Sequence, residues 1–490
     1  MPSGSHAKGG VLNSTPAPHG PASRSQTATT ANANAKRSIQ QRHLTLLVAA
    51  LTLLGLGLRL HQLTLAPLPT DNADEINWGF VGISLIAHHV PYGWSYLAAY
   101  PTRQWVKLHG SIYPMVHPWL DQPPAFALLV GWVAWLGGAR NMAGISFSLI
   151  RMVPVLLSTA SVPLIFFLGT RTRGRGAAII GAALYASAPG AVLLGREVES
   201  EALLAPMLIV SLLSVEAIIR DRASGTKVGL LLALCLLGPL VKLPGLAIAA
   251  ISVVLLIAGG HKWLALSAFL AGVAGIGIYA LYGWAIDWHT FTAVIHSQMA
   301  RRQGLMGGYQ TLIAQAGINR GLSDWWWLLG LLAIGALAFG NGEDAGKAFV
   351  AWPVAAYAAT LLLMADPRVI PVYGWYRITI YPLVYLAAGH ACAKTVSRPT
   401  ASRLILLMAT GGAATLNFLF GTPGQGWTPP ALAVGIVLAA VGLLGAVMVA
   451  SRGAGRLGSS GRFAVAVAIC LMVAGGTVQS YFLAHLYSRL

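Results

Sequence analysis

Charge is what this chain has least of. Of its 490 residues only 9% are Asp, Glu, Lys or Arg, where a soluble chain carries about a quarter. Hydrophobic residues make up 56%, and the mean hydropathy is +0.67. So few charges cannot cover the surface of soluble domains, and the composition is that of an integral membrane protein. Acids are the scarcest, 14 against 32 basic residues, for a net charge of +18. In a soluble protein that excess would suggest nucleic acid. Here it fits basic cytoplasmic loops, and no nucleic-acid partner is expected. The three cysteines, Cys235, Cys392 and Cys470, lie in apolar runs without CxxC or metal spacing, which argues against a disulfide framework and a zinc cluster. The chain also lacks heptads, a short-period repeat and a Walker or GxGxxG loop, which argues against a nucleotide-driven pump.

What is present begins with residues 1–43, rich in Ser, Thr, Ala, Asn, Gly and Pro and free of acids. They read as a disordered basic cytoplasmic tail. The first apolar run, 44–60, has no small-residue cleavage site before it and reads as a retained helix. Lys36, Arg37 and Arg42 place the N-terminus in the cytoplasm. Further apolar runs lie near 148–169, 176–194, 200–219, 228–240, 243–259, 263–284, 324–340, 347–365, 377–394, 403–420, 430–450 and 463–484. They predict about thirteen transmembrane helices at roughly 20 residues each. The basic loops at Arg171–Arg175, Arg220–Lys227, His261–Lys262, Lys394–Arg403 and Arg452–Arg462 fall on one side of that arrangement. Residues 123–138 are apolar too. Counted as a crossing they would break the charge rule once, so they read as re-entrant or as lying at the surface, with a full crossing left open. Ten of the acids then fall on the outer side, which also holds two long segments, 61–147 and 285–323. Only Glu216, Asp221, Glu343 and Asp344 fall inside.

Four groups of residues could carry chemistry there. The first is Asp71-Asn72-Ala73-Asp74-Glu75, opening a partly amphipathic stretch, 75–89, suited to the membrane interface. Asp71 or Asp74 caps that helix, or one carboxylate deprotonates a hydroxyl or ligates a metal. The second is His117-Pro118-Trp119-Leu120-Asp121-Gln122-Pro123-Pro124, a proline-built turn or a site with His117 and Asp121. The third is Arg196-Glu197-Val198-Glu199-Ser200-Glu201, where helical spacing would pair Arg196 with Glu199 and at least one acid stays unexplained. The fourth is basic: Lys242, Arg301, Arg302, and Arg377 after Tyr376. Outer cations run against the usual trend and call for an anion such as phosphate, or they snorkel to the interface. His88 and His89 are adjacent, a poor metal pair. Trp325-Trp326-Trp327 reads as an interfacial anchor.

In this order the pieces resemble the GT-C superfamily of membrane glycosyltransferases, nearest the protein O-mannosyltransferase and aminoarabinose lipid A transferase branch. The resemblance rests on Asp74-Glu75 with Trp78 soon after, on Asp121-Gln122-Pro123-Pro124, on Arg151 heading a helix, on the Arg171–Gly176 turn and on an outer acid at Glu199 or Glu201. It covers residues 44–250, and beyond them only Tyr376-Arg377 before a Pro-containing span. It implies transfer of a sugar from a polyprenyl-phosphate carrier on the outer face, typically with inversion, with Asp74 as base or acceptor-orienting group and cations holding the phosphate. Gln122 stands where the family has Lys, so Arg103, Lys107, Lys242 or Arg377 would replace that contact. Asn77 stands where the aminoarabinose branch has Arg, which counts against that donor.

The expectation is therefore an all-α, GT-C-like polytopic membrane domain over 44–490, with interfacial helices in its first outer loop. Asp74, Glu75, Glu199 and Glu201 are the catalytic candidates. Asp121, Gln122, Arg103, Lys107, Arg196, Lys242, Arg301, Arg377, Tyr376 and His117 are the substrate-binding candidates. The expected partners are a lipid-linked sugar donor, the bilayer, and a lipid, glycan or protein acceptor bearing a hydroxyl or phosphate. No cofactor is assigned, and a divalent metal is left open. The expected place is a bacterial inner membrane with the site on its outer face. The competing reading is a secondary transporter of about twelve helices.

Overall fold

The computed structural model describes residues 23–69, 71–108, 110–220, 224–300, 325–340, 347–364, 374–412 and 459–484. Arg301, Arg302, Asp221, Glu343, Asp344, Asp366, the expected span 430–450 and the second half of 403–420 lie outside the described residues. The chain divides into two units, residues 1–47 and 48–490. The described part of the first is helical throughout. The second holds all the remaining elements.

In chain order the helices and strands are α1 (Ser23–Leu60), α2 (Ala73–His88), β1 (Gly93–Trp94), β2 (Gln104–Leu108), β3 (Ser111–Val116), α3 (Pro124–Leu136), α4 (Phe147–Ile150), α5 (Met152–Thr172), α6 (Arg175–Ser187) and α7 (Pro189–Leu194). They continue as α8 (Glu201–Ile219), α9 (Gly225–Val241), α10 (Leu246–Ala258), α11 (Lys262–Ala300), α12 (Trp325–Phe339), α13 (Trp352–Met364), α14 (Tyr381–Ser397), α15 (Ala401–Leu407) and α16 (Ser459–Tyr481). Residues 23–43 are helical and not disordered as expected. No Gly or Pro falls between Ala22 and Leu54, and the Ala, Gln, Lys and Arg there are good helix formers, so the first helix begins early.

Five helical stretches among the described residues are long and apolar enough to cross a membrane: Ile39–Leu60, Phe147–Thr172, Glu201–Ile219, Lys262–Met299 and Gly461–Tyr481. The chain is an integral membrane protein. Among the described residues, the other runs that hydropathy counted as spans are shorter or broken. The run 176–194 leaves the helix at Ala188 (ψ 133°), the residue before Pro189, as the clash with the proline ring requires. The runs 228–240 and 243–259 form α9 and α10, parted by extended backbone at Lys242. Helix α3 has 13 residues, roughly 20 Å at 1.5 Å per residue, short of the ~30 Å hydrocarbon core.

One expectation for the first outer loop is corrected. The loop is not all helix: β1, β3 and β2 form a three-stranded antiparallel sheet in that order. Val106, Ile112 and Tyr113 favour strand, and Gly110 takes a φ of +80° beside the Leu108↔Ser111 pair that closes the hairpin. Helix α2 is held mainly by protein contacts. Glu75 to Gly79 and Val81 to Ser84 are buried, and α2 packs on α3 with backbones in contact. A Cβ added at Gly82 would fall 1.9 Å from the Ala127 carbonyl oxygen, and one at Gly131 would fall 2.4 Å from the Gly82 Cα.

Helix α8 separates two charged clusters. Near its C-terminus Glu216 meets Arg220 at 2.9 Å and Arg171 at 3.5 Å, which joins the basic turn after α5 to the one after α8. In its first turn Glu201 begins the second cluster.

Candidate functional site

The second cluster forms where α2, the α7–α8 turn and the α9–α10 break meet. Asn72, and not Asp71 or Asp74, caps α2: its Oδ1 accepts from the Asp74 N–H at 3.0 Å. The Asn72 Nδ2 donates to Glu199 Oε1 at 2.8 Å, and the Trp78 Nε1 donates to Oε2 at 3.4 Å. One asparagine thus ties the backbone of the Asp74 turn to the carboxylate of Glu199. Asp74 is half-buried in the first turn of α2, where negative charge is favoured. Glu199 is buried. Burial first, and then the charge of Asp74, raises its pKa well above the carboxylate range.

Glu201 Oε1 accepts from Lys242 Nζ at 2.6 Å, and Ser200 Oγ donates to Oε2 at 3.1 Å. Lys242 is buried and stands 4.7 Å from the centre of the Tyr376 ring. Its burial opposes charge, but Glu201, Tyr376 and Glu199 outweigh that, and its pKa is raised. The anion that Lys242 called for is therefore an acid of this chain. Glu201 takes one of its three N–H bonds. Asp74, Glu199, Glu201, Lys242 and Tyr376 are brought together, from stretches more than 300 residues apart in sequence.

Glu75 faces elsewhere. It forms a fully buried two-pronged pair with Arg151: Nε donates to Oε1 at 3.0 Å, and Nη2 donates to Oε2. Oε1 also accepts from the Val198 N–H at 3.1 Å. Arg151 Nη1 donates to the Leu63 and Pro67 carbonyls, both at 2.8 Å. Arg196 is corrected outright. Residues 195–200 form a turn and not a helix, so Arg196 does not pair with Glu199. Its guanidinium donates to the carbonyls of Ala66 at 2.9 Å, His61 at 2.9 Å and Leu58. It is wholly buried. Burial and the nearby Arg59 and Arg151 lower its pKa to about 9. Beside this group Glu197 is buried with no hydrogen-bond partner on either oxygen among the described residues. Burial and the charge of Glu75 raise its pKa well above the usual range.

Asp121 belongs to a separate group. Its Oδ1 accepts from the Tyr100 hydroxyl at 2.6 Å, and that hydroxyl accepts from the Leu120 N–H at 2.9 Å. Burial and Asp121 raise the Tyr100 pKa, so the phenol keeps its proton. Helix α11 holds the same turn from both sides of a kink at Asp287. Tyr279 donates to the Leu120 carbonyl at 3.2 Å, and Gln298 to the Asp121 carbonyl at 3.3 Å. The first part of the expected outer segment 285–323 is therefore helix, with Asp287 accepting from the Thr290 N–H and hydroxyl at 3.1 and 2.6 Å. No local pattern marks Tyr100, Tyr279 or Gln298 in the sequence, since their contacts are long-range.

The remaining candidates are scattered. Arg103 donates to the Ser95 and Leu97 carbonyls, and Lys107 is exposed on β2. His117 is exposed and packs 4.1 Å from Tyr92. Gln122 is half-buried beside Asp121. Arg377 is buried 5.2 Å over the Trp327 ring, and Trp326 and Trp327 are buried, so these two are core residues and not an interfacial anchor. Among the described residues no three His, Cys, Asp or Glu side chains group as metal ligands.

No family model and no curated protein matches the sequence. Solved structures do match. ArnT from Cupriavidus metallidurans bound to undecaprenyl phosphate superposes with a TM-score of 0.52 at 14% identity, over 91% of this chain and 77% of that one. Its apo state gives the same score over 92% and 78%. The archaeal oligosaccharyltransferase AglB from Archaeoglobus fulgidus matches with a TM-score of 0.45 at 12% identity, over 89% of this chain and 56% of its own. The likeness to ArnT, at 14% identity, establishes a shared fold.

Proposed function

We propose that this chain, on its GT-C fold, moves a sugar from a polyprenyl-phosphate carrier to a hydroxyl or phosphate acceptor on the outer face of a membrane, with inversion at the anomeric carbon. The observation that carries the reading is the half-buried Asp74, fixed by Asn72 to a buried Glu199 whose ionisation is suppressed. A carboxylate beside a second one whose ionisation is suppressed suits a base that must take a single proton. In the reaction, Asp74 accepts the proton of the acceptor hydroxyl as its oxygen attacks the anomeric carbon. The bond from that carbon to the phosphate oxygen breaks on the opposite face. The bonding pair leaves with polyprenyl phosphate. Lys242, held charged by Glu201 and with N–H bonds to spare, faces the departing phosphate. Glu75 and Arg151 hold the start of α2 in place and take no part in proton transfer. Asp121 and Gln122 orient the acceptor, and Tyr100 fixes Asp121. The compartment suited to this reading is a bacterial inner membrane, with the N-terminus cytoplasmic.

The test is release of polyprenyl phosphate from a panel of polyprenyl-phosphate sugars, using purified protein and membrane acceptor fractions. Release from one donor, reduced about 10²–10⁴-fold in Asp74→Asn, is the expected result for loss of a general base. Unchanged release in folded Asp74→Asn would remove Asp74 from the mechanism. No release from any donor with several acceptors would remove the transferase reading itself.

A further inference from the structure

The β2–β3 hairpin takes no part in the chemistry above, yet it is built as a docking surface. Residues directly opposite in an antiparallel pair share a face. The register Trp105↔Pro114 and Lys107↔Ile112 puts those four side chains on one face, while Gln104, Val106, Tyr113 and Met115 take the other. On the first face Pro114 is buried, whereas Trp105 opposite it and Ile112, nearer the tip, are 61% and 56% exposed. Lys107 stands between them and is exposed as well. A large aromatic, an aliphatic and a cation side by side form a surface with an apolar body and a charged rim.

The charge around it selects the partner. Between Glu75 and Asp121 the sequence has no Asp or Glu, while it has Arg103 and Lys107 and is dense in Trp and Tyr. In a chain already embedded in a bilayer, an acid-free, aromatic-rich, cationic loop complements the anionic headgroup layer. Helix α3, seven residues past β3, also exposes Leu129, Trp132 and Leu136.

We propose that the Trp105–Lys107–Ile112 face of the hairpin docks into the headgroup region of an anionic bilayer, Trp105 and Ile112 entering the interface and Lys107 meeting lipid phosphate. The docked hairpin fixes the first outer loop against the membrane surface.

The experiment uses the full chain in reconstituted vesicles. Cys470, the exposed native cysteine, is replaced by Ser, and Cys235 and Cys392 stay because they are buried. Trp105→Cys, Ile112→Cys and, on the opposite face, Gln104→Cys are each labelled with a polarity-sensitive fluorophore. Vesicles are phosphatidylcholine alone or with about one part in three phosphatidylglycerol. Blue-shifted emission at positions 105 and 112, quenched by lipids spin-labelled near the headgroup, is expected, with position 104 water-like. Phosphatidylglycerol should deepen the quenching about two-fold, and Lys107→Gln should abolish that increment. Water-like emission at both 105 and 112 in both vesicles overturns the proposal. So does a shift at these positions that appears only on adding a soluble glycan, which would make the face an acceptor platform. Using two labelled positions keeps the outcome readable if one variant fails to fold.

Discussion

Arg151 and Glu75 show how a single buried pair is fastened from many sides. The guanidinium satisfies two carboxylate oxygens and two carbonyls, and the carboxylate also takes the Val198 N–H. Losing one partner leaves a buried charge uncompensated, at a cost of about 3–5 kcal/mol. Arg151→Met should therefore lower the unfolding midpoint in detergent sharply, and Arg151→Met with Glu75→Gln should regain part of the loss. An unchanged midpoint in the single variant would show the pair to be dispensable. Glu197 carries the opposite sign. Its folded pKa is raised above the ordinary 4.5, so above that value the unfolded chain loses a proton that the folded chain keeps. Stability then falls as pH rises from about 4.5 through the raised value. Glu197→Gln removes this, and its midpoint should decline less than wild type between about pH 5 and about pH 8. Glu199 contributes in the same direction, so some slope persists. Equal slopes would mean that Glu197 is ionised in the folded protein.

At the level of elements, the α2–α3 crossing is where packing is least forgiving. Gly82 and Gly131 let two backbones touch, and both meet backbone atoms, which cannot rotate away. Gly82→Val should separate the helices and cost at least about 1–3 kcal/mol, read as a lower midpoint and lower yield of monodisperse protein. Val at Gly57, where an added Cβ meets nothing within 4 Å, is the control. Equal behaviour of the two variants would show that the fold does not depend on this close approach. What the sequence made legible here was the long apolar helices and the grouping of acids, because hydropathy and charge are local properties. The sheet was missed because its strands of 2, 5 and 6 residues are too short to stand out within a hydrophobic chain. The Arg196–Glu199 pairing failed because it assumed helix across 195–200, where the chain turns. The Lys242–Glu201 pair could not be read from the sequence, because only the packing of α8 against α9 brings the two together.

Across the whole molecule, the two ends of α8 divide the charges into Glu216 with Arg171 and Arg220, and Glu201 with Lys242. The first end is basic and partly exposed. The second is a buried acid cluster with one lysine. On the function proposed above, with the basic loops in the cytoplasm, the Asp74 cluster would lie on the other side of the membrane. That sidedness can be measured directly. In the Cys470→Ser background, Ser111→Cys and Arg175→Cys place single accessible thiols in the β2–β3 hairpin and in the exposed turn after α5. Both positions avoid the buried Thr172. In intact cells a membrane-impermeant maleimide should label position 111 and spare position 175 until the membrane is opened. Labelling of 175 from outside would invert the molecule, placing the Asp74 cluster in the cytoplasm. Labelling of both from outside would put an odd number of additional crossings between them, and α3, at 13 residues, would then have to cross a locally thinned bilayer.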